Sequence, residues 1–178
     1  KNGEIVPEHI TTGSNYKVWW RCKEGHVWKS RVADRVAGSG CPYCSGTKLL
    51  PGFNDLKTEY PEIAMEWSDQ NNDLKPETMS PLSRKNVWWK CAKCGYEWKA
   101  VIYSRVKGQK CPACAGRAVA LGVNDLATTD PEIASEWHPD KNGDVLPNMF
   151  LRTSSQRIWW LGKCGHEWSA RIDDRSMY

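Results

Sequence analysis

The sequence has few of the residues that usually fill a protein core, and it has no long apolar run. Only two phenylalanines occur among 178 residues, and aliphatic side chains are modest in number. Nothing approaches the roughly 18 to 20 apolar residues of a membrane-spanning helix, and the first residues do not resemble a signal peptide. We therefore expect no membrane partner and a reducing compartment, such as the bacterial cytoplasm.

The chain repeats itself with a period of about 70 residues, which is the signature of a repeat protein. The period relates three tryptophans and three arginines: Trp28, Trp98 and Trp168, and Arg35, Arg105 and Arg175. We predict three units, 1–48, 49–118 and 119–178. Because the first and last are incomplete, we expect the sequence to be a piece of a longer array.

Eleven tryptophans and eight cysteines take the place of the missing apolar residues. A unit of about 70 residues with so few aliphatic side chains has a marginal core and needs a cross-link. Disulfides would suit a secreted protein. The Cys-x-x-Cys pairs beside glycine, histidine and lysine, with no export signal, favour a metal ion instead.

Closely spaced cysteine and histidine pairs occur twice in each of the first two units. The candidate ligands are Cys22, His26, Cys41 and Cys44, then Cys91, Cys94, Cys111 and Cys114. Four such ligands in two clusters are the arrangement of a structural zinc site. The repetition argues against a thiol redox centre, and four protein ligands argue against catalytic zinc. We predict two Zn²⁺ ions.

The third unit departs from this pattern. Gly162 stands where Cys22 and Cys91 stand in the earlier units. Cys164 and His166 are candidate ligands in an altered knuckle, meaning the tight turn that presents two ligands to one ion. A second cysteine pair would fall beyond the last residue, so metal binding by this unit is left open.

The segments around each first knuckle predict two short β-strands, Lys17 to Arg21 and Val27 to Val32, because they are rich in aromatic and β-branched residues. Adjacent strand residues point to opposite faces. Of Trp19 and Trp20, one is therefore expected in the core, and the other faces a connector or a ligand. Most tryptophans are expected to be core residues.

The acidic connectors between hairpins predict short helices. Pro61 and Pro131 suit the first position of a helix, and each helix is expected to run for about two turns. Ile63 and Trp67 are four residues apart and are predicted to share one helical face that packs on the hairpin.

Charge alternates along the chain. Residues 84–117 contain nine basic residues and one acidic residue, whereas 49–83 contain two and seven. Basic side chains beside aromatics suit phosphate contact and base stacking. The candidate nucleic-acid contacts are Arg21, Lys29, Arg31, Arg35, Lys90, Lys99, Arg105, Lys107, Lys110, Arg171 and Arg175. For the recurring arginine, a structural role is an equally good interpretation.

Taken together, the Trp-Trp-x-Cys segment, the Cys-Pro-x-Cys pairs and the NDLxTxxPEIAxEW connectors resemble treble-clef zinc-finger repeats, also labelled zinc-ribbon domains, of bacterial and plant proteins. The resemblance implies small α+β, metal-stabilised repeats: tandem treble-clef or zinc-ribbon β-hairpins with short connector helices. It also implies zinc and nucleic-acid binding, in proteins that can carry a nuclease or other effector domain.

We therefore expect a nucleic-acid-binding module, with DNA favoured over RNA, that is not an enzyme. Binding to RNA and a protein-interaction scaffold with structural zinc remain the alternatives. His9 and His138 have no paired nucleophile or acid at matched positions of the repeat, which argues against catalysis.

Overall fold

The structure is a computed structural model that describes residues 1–176. Six short strands form three separate two-stranded antiparallel hairpins in this part of the chain. The strands are β1 (Lys17–Arg21), β2 (Val27–Arg31), β3 (Asn86–Lys90), β4 (Glu97–Val101), β5 (Arg157–Leu161) and β6 (Glu167–Arg171). The predicted strands of the first unit are confirmed, except that β2 ends one residue earlier.

A five-residue helix follows each hairpin directly. These helices are α1 (Val32–Val36), α4 (Ile102–Val106) and α7 (Ile172–Ser176). The connectors contain two pairs of four-residue helices, α2 (Leu56–Glu59) with α3 (Pro61–Ala64), and α5 (Leu126–Thr129) with α6 (Pro131–Ala134). Single 3-10 turns span Pro7–His9, Asp69–Asn71, Pro76–Thr78 and Pro147–Met149. No helix of the described residues has the length and hydropathy of a membrane span.

The connector helices are shorter than the sequence predicts, and the prediction that Trp67 lies on a helical face is wrong. Helix α3 begins at Pro61, as predicted, but ends at Ala64. Trp67 instead forms an isolated antiparallel bridge with Trp89, and Trp137 forms the same bridge with Trp160. The helix ends because the next residues donate and accept backbone hydrogen bonds along the edge of the hairpin.

Each hairpin has one buried face and one exposed face, because side chains alternate along a strand. In β1, Val18 is buried while its neighbours Lys17 and Trp19 are exposed. Trp20 lies opposite Trp28 on the inner face. The prediction that Trp19 and Trp20 point to opposite faces is therefore confirmed.

Residue contacts divide the chain into two compact units. One contains Lys1–Met65 with Asn71–Lys85, and the other contains Glu66–Gln70 with the described chain from Asn86 onward. The first of these two compact units holds hairpin β1–β2, and the second holds β3–β4 and β5–β6. The boundaries 1–48, 49–118 and 119–178 remain a prediction from the sequence.

Within the second compact unit, the third hairpin illustrates how a repeat builds its core. Ile158 and Trp160 of β5 pack with Leu126 of α5 and Ile172 of α7, and all four are buried. Ile133, Trp137, Phe150, Trp168 and Ala170 surround this cluster. Tryptophan supplies the area that aliphatic residues would supply in a larger domain, because each ring buries on the order of 150 to 250 Å².

Candidate metal centres

The first knuckle is the turn that joins β1 to β2. The amide of Cys22 donates to the carbonyl of His26 at 3.1 Å, and the amide of Gly25 donates to the carbonyl of Cys22 at 3.1 Å. Gly25 has φ +82°, a left-handed conformation that glycine adopts without steric cost. The turn therefore places the Cys22 thiol and the His26 ring on the same side of the hairpin.

The second knuckle follows α1 and carries Cys41 and Cys44. The amide of Ser45 donates to the carbonyl of Cys41 at 3.0 Å, and the amide of Lys48 donates to the carbonyl of Pro42 at 2.9 Å. These bonds fold the Cys-Pro-Tyr-Cys segment into a tight loop. The loop brings its two thiols to the first knuckle.

The first tetrad, Cys22, His26, Cys41 and Cys44, has the dimensions of a tetrahedral zinc site. All four ligand atoms lie within 4.8 Å of one another. The Sγ atoms of Cys22 and Cys44 are 3.8 Å apart, much longer than a disulfide bond of about 2.05 Å. Zinc–sulfur bonds of about 2.3 Å give a tetrahedral edge of about 3.8 Å, so this spacing fits.

The histidine of this tetrad presents its Nδ1 atom. Nδ1 of His26 lies 3.4 Å from the Sγ of Cys22, 3.3 Å from that of Cys44 and 3.7 Å from that of Cys41. Bond lengths of about 2.3 Å to sulfur and 2.0 to 2.1 Å to nitrogen predict roughly 3.6 Å. Phe53 packs edge-on against the ring, with centroids 4.2 Å apart, which fixes its orientation.

The second tetrad consists of cysteines alone: Cys91, Cys94, Cys111 and Cys114. The Cys91–Cys114 and Cys94–Cys111 sulfur pairs are each 3.7 Å apart, again the edge of a zinc tetrahedron. Tyr96 stands where the first unit has histidine, and its ring stacks on Trp98 rather than entering the tetrad. The extra ligand Cys94 makes the histidine unnecessary.

Crowding of the sulfurs opposes thiolate formation at Cys114. A hydrogen bond to Cys94, together with burial, raises the pKa of the Cys114 thiol to about 12. The Cys114 thiolate would hold a zinc ion in place of this proton, so metal-binding energy would contribute to folding energy. Four protein ligands complete the coordination of zinc and leave no position for water or substrate, which makes both centres structural.

The β5–β6 turn is the knuckle of the third repeat. It has the shape of the first knuckle but lacks its first cysteine. The amide of Gly162 donates to the carbonyl of His166 at 2.9 Å, as Cys22 does to His26. Nδ1 of His166 lies 3.2 Å from the Sγ of Cys164, so these two candidate ligands do meet. Among the residues that the structure describes, no further ligand joins them, and metal binding by this knuckle stays a prediction.

The asparagine of the NDL motif holds the second knuckle to the connector, a role that the sequence reasoning missed. The side-chain amide of Asn54 donates to the carbonyls of Tyr43 and Lys48 at 2.9 and 2.8 Å. Its Oδ1 accepts from the amide of Leu50 at 2.7 Å. Asn124 makes the same three bonds in the next sequence repeat. Recurrence of this asparagine at the repeat period was the available signal.

The aspartate of the same motif caps the connector helix. Asp125 accepts from the amides of Gly122 and Thr128 at 2.6 and 3.0 Å, and from the Thr128 hydroxyl at 2.8 Å. Burial acts to raise the pKa of Asp125, but the hydrogen bonds from Thr128 and Gly122 outweigh it and lower the pKa. Asp55 makes the same cap on α2.

The recurring arginine lies over two neighbouring tryptophan rings on the inner face of each hairpin. Arg105 lies 5.4 Å from the ring centroid of Trp89 and 5.3 Å from that of Trp98. It also donates to the carbonyl of Gln109 and forms an ion pair with Glu66. Only 9% of Arg105 is exposed. Of the two interpretations left open, these contacts support the structural one.

The other two copies of this arginine are placed in the same way. Arg35 lies 5.2 Å from Trp20 and 5.5 Å from Trp28. Arg175 lies 5.0 Å from Trp160 and 4.9 Å from Trp168, and it donates to Glu136 at 2.5 Å. The glutamate of the PEIAxEW motif is therefore the arginine's partner in the second and third hairpins.

The remaining candidate cations lie at the surface. Arg21, Lys29, Arg31, Lys90, Lys99, Lys107, Lys110 and Arg171 are all exposed. Two of them have acidic neighbours: Arg31 pairs with Asp34 at 2.8 Å, and Arg171 pairs with Asp173. Arg21 and Lys29 share the outer face of the first hairpin, and Lys90 and Lys99 share that of the second.

Comparison with known proteins agrees with the two centres. The family model described as "Probable Treble clef zinc finger domain" matches residues 1–47, 63–117 and 133–177, which together make up most of the chain. Each match contains one hairpin with its knuckle. No curated protein matches the chain. The chain belongs to the treble clef zinc finger family that this description names, in three copies of which the first two carry complete zinc ligand sets.

Proposed function

We propose that the chain is a zinc-stabilised module that binds nucleic acid, with DNA as the preferred ligand. The observation that carries the proposal is the outer face of the first hairpin. There an exposed tryptophan, Trp19, is framed by four exposed cations: Lys17, Arg21, Lys29 and Arg31. Cationic side chains around an aromatic ring suit phosphate contact combined with base stacking.

The strand register explains why these residues form one surface. Trp19 lies directly opposite Lys29, and Lys17 lies directly opposite Arg31. Arg21 follows Trp19 on the same face, because every second residue of a strand points the same way. A zinc ion held by Cys22 and His26 at the end of the hairpin would stabilise this register.

The outer faces of the other two hairpins are less basic. In the second, Trp88 lies opposite Lys99, but Lys90 lies opposite Glu97. In the third, Trp159 lies opposite Ser169, and Glu167 shares its face with Arg157 and Arg171. The first hairpin is therefore the main contact with nucleic acid. The other two are auxiliary contacts, whose effective concentration is high because they are linked to the first.

The recurring arginines, Arg35, Arg105 and Arg175, do not belong to the proposed surface. Their guanidinium groups lie over the inner-face tryptophans. Those of Arg35 and Arg105 donate to backbone carbonyls, and those of Arg105 and Arg175 pair with a carboxylate. The proposal is one of binding and not of catalysis, since a closed zinc site offers no coordination position to a substrate.

A salt titration with charge variants tests the proposal. Each phosphate contact contributes a slope of about −0.7 to −0.9 to a plot of log K against log salt, so four cations predict about −3. Lys29→Glu should lower the affinity at least about tenfold and flatten the slope. Lys75→Glu changes the net charge equally on the connector and should leave both unchanged. A flat salt response, or equal effects of the two variants, would refute the proposal.

Competition among ligands tests the preference for DNA. Labelled single-stranded DNA, bound to the zinc-loaded chain, is challenged with unlabelled duplex DNA, single strands and structured RNA. We expect the DNA competitors to displace it at the lowest concentrations. If structured RNA displaces it first, RNA is the ligand. If neither DNA nor RNA binds the chain, or if Lys29→Glu leaves their affinity unchanged, the protein-interaction scaffold is favoured.

A further inference from the structure

An apolar groove lies open beside the first hairpin. It has a volume of about 180 Å³ and is lined by Ile5, Ile10, Val18, Trp19, Trp20 and Val32, with Asn2 and Pro7 at its margin. Ile5 is 42% exposed and the adjacent Val6 is 38% exposed. These are large apolar side chains to leave in contact with water, and burial of their exposed part would stabilise a complex.

The third repeat shows which segment covers the corresponding face there. Residues 140 positions later are the counterparts of the groove: Phe150, Ile158, Trp160 and Ile172 correspond to Ile10, Val18, Trp20 and Val32. In the third repeat, Trp160 and Ile172 are completely buried. In the first repeat, Trp20 and Val32 are only half-buried.

The cover of the third repeat is its connector. Leu126 is completely buried in the cluster, and Ile133 and Trp137 pack against it. Trp137 meets Trp160 edge-to-face, with centroids 5.7 Å apart. The three side chains therefore fill the face whose counterpart in the first repeat is the groove.

Backbone hydrogen bonds fix the position of that connector. The amide of Leu126 donates to the carbonyl of Phe150 at 2.8 Å, and the amide of Leu161 donates to the carbonyl of Glu136 at 2.7 Å. The amide of His138 also donates to the carbonyl of Trp159 at 3.1 Å. The counterparts of Phe150, Leu161 and Trp159 in the first repeat are Ile10, Arg21 and Trp19, so the groove carries the same backbone groups beside its apolar floor.

We propose that this groove is an acceptor for a connector segment of another repeat of the same type. Its ligand is a peptide with leucine, isoleucine and tryptophan at the spacing of Leu126, Ile133 and Trp137, in two short helices of which the first is capped by aspartate. The acidic character of such a connector complements the basic hairpin that flanks the groove. Repeats of this family therefore join by seating the connector of one under the hairpin of the next.

A synthetic peptide with the sequence of residues 122–140 tests this inference. It ends at the position before the counterpart of Lys1, so it does not overlap the segment that lines the groove. Fluorescence anisotropy of the labelled peptide with the zinc-loaded full chain should show saturable binding of one peptide per chain. Peptides with Leu126→Ala or Trp137→Ala should bind at least about tenfold more weakly, and a scrambled peptide of equal charge should not bind.

Variants of the chain locate the binding surface. Ile5→Asp places a charge in the groove at an exposed position, so the fold should survive, and peptide affinity should fall at least about tenfold. Val36→Asp is the matched control, because Val36 is also exposed but does not line the groove, and it should leave the affinity unchanged. Binding that the scrambled peptide reproduces, or that is equally sensitive to both variants, would overturn the inference.

Stoichiometry and self-association provide the second check. More than one peptide per chain would mean that the peptide displaces the built-in connectors and not that it fills the groove. Sedimentation of the chain alone should show a monomer. Concentration-dependent dimers that Ile5→Asp abolishes, but that the peptide fails to dissociate, would mean that a second copy covers the groove with a surface other than its connector, and would also overturn the inference.

Discussion

Replacement of Arg105 tests the structural role of the recurring arginine. Arg105 and Glu66 keep only 10% and 17% of their side chains exposed. Removal of one partner from a buried ion pair costs about 3 to 5 kcal/mol, and the residual exposure places this pair near the lower limit. Loss of the stacking on Trp89 and Trp98 adds about 0.5 to 1 kcal/mol. Arg105→Ala should therefore lower the free energy of unfolding by about 3 to 4 kcal/mol.

Urea unfolding of the zinc-loaded chain, followed by tryptophan fluorescence, measures this change. The double variant Arg105→Met with Glu66→Gln should regain much of the loss, because no charge is left unpaired. Arg105→Lys should remain destabilised, since an ammonium group cannot stack on the rings as the planar guanidinium does. Lys107→Ala, an exposed neighbour, should change stability by no more than about 0.5 kcal/mol.

The affinity for nucleic acid separates the structural role from a contact role. Arg105→Ala that still binds two zinc ions should retain its DNA affinity under conditions where it is folded. If Arg105→Ala is as stable as the original chain but loses DNA affinity as Lys29→Glu does, the reasoning is refuted and the arginine is a phosphate contact.

Three further substitutions test the connector and the β3–β4 turn. Leu126→Ala removes a fully buried side chain and should cost about 2 to 5 kcal/mol in urea unfolding; a loss below 1 kcal/mol would argue against the core described for the third repeat. Asp125→Ala removes the helix cap and should cost about 1 to 2 kcal/mol. Because the pKa of Asp125 is lowered, this cost should stay constant from pH 8 to 6, and it should shrink only as the pH falls through that lowered pKa; a cost that varies between pH 6 and 8 would contradict the cap. Gly95→Ala meets open space but has φ +70°, so it should cost about 1 to 2 kcal/mol of backbone strain and weaken zinc binding accordingly; unchanged zinc affinity would show that the turn is not strained.

The metal centres and the hairpins could be predicted from the sequence because both depend on short-range patterns. Cys22 and His26 are close enough in sequence to meet in one turn, and alternation along the strand settles which of Trp19 and Trp20 points inward. The chemistry of thiolate and imidazole then leaves few alternatives to zinc.

The course of the connector could not be predicted in the same way. Ile133 and Trp137 have helical spacing, and both do pack on the same cluster. The helix nevertheless ends at Ala134, because residues beyond it pair with the edge of β5. Such pairing depends on a strand that lies about 20 residues further along the chain, so local periodicity contains no signal for it.

The role of the recurring arginine also depends on the assembled hairpin. Trp89 lies directly opposite Trp98 in the strand register, and Arg105 extends from the following helix across both rings. The register follows from the length of the knuckle, so the tryptophan pair was accessible to sequence reasoning. The packing of α4 against that pair was not.

The most direct test of the central claim, that zinc makes these small repeats fold, is a zinc titration of the reduced, metal-free chain followed by tryptophan fluorescence. The signal should change from that of an unfolded chain to that of a folded one and reach its limit at two equivalents of zinc per chain. A chain that is already folded before zinc is added, or one whose signal zinc does not change, would contradict the account.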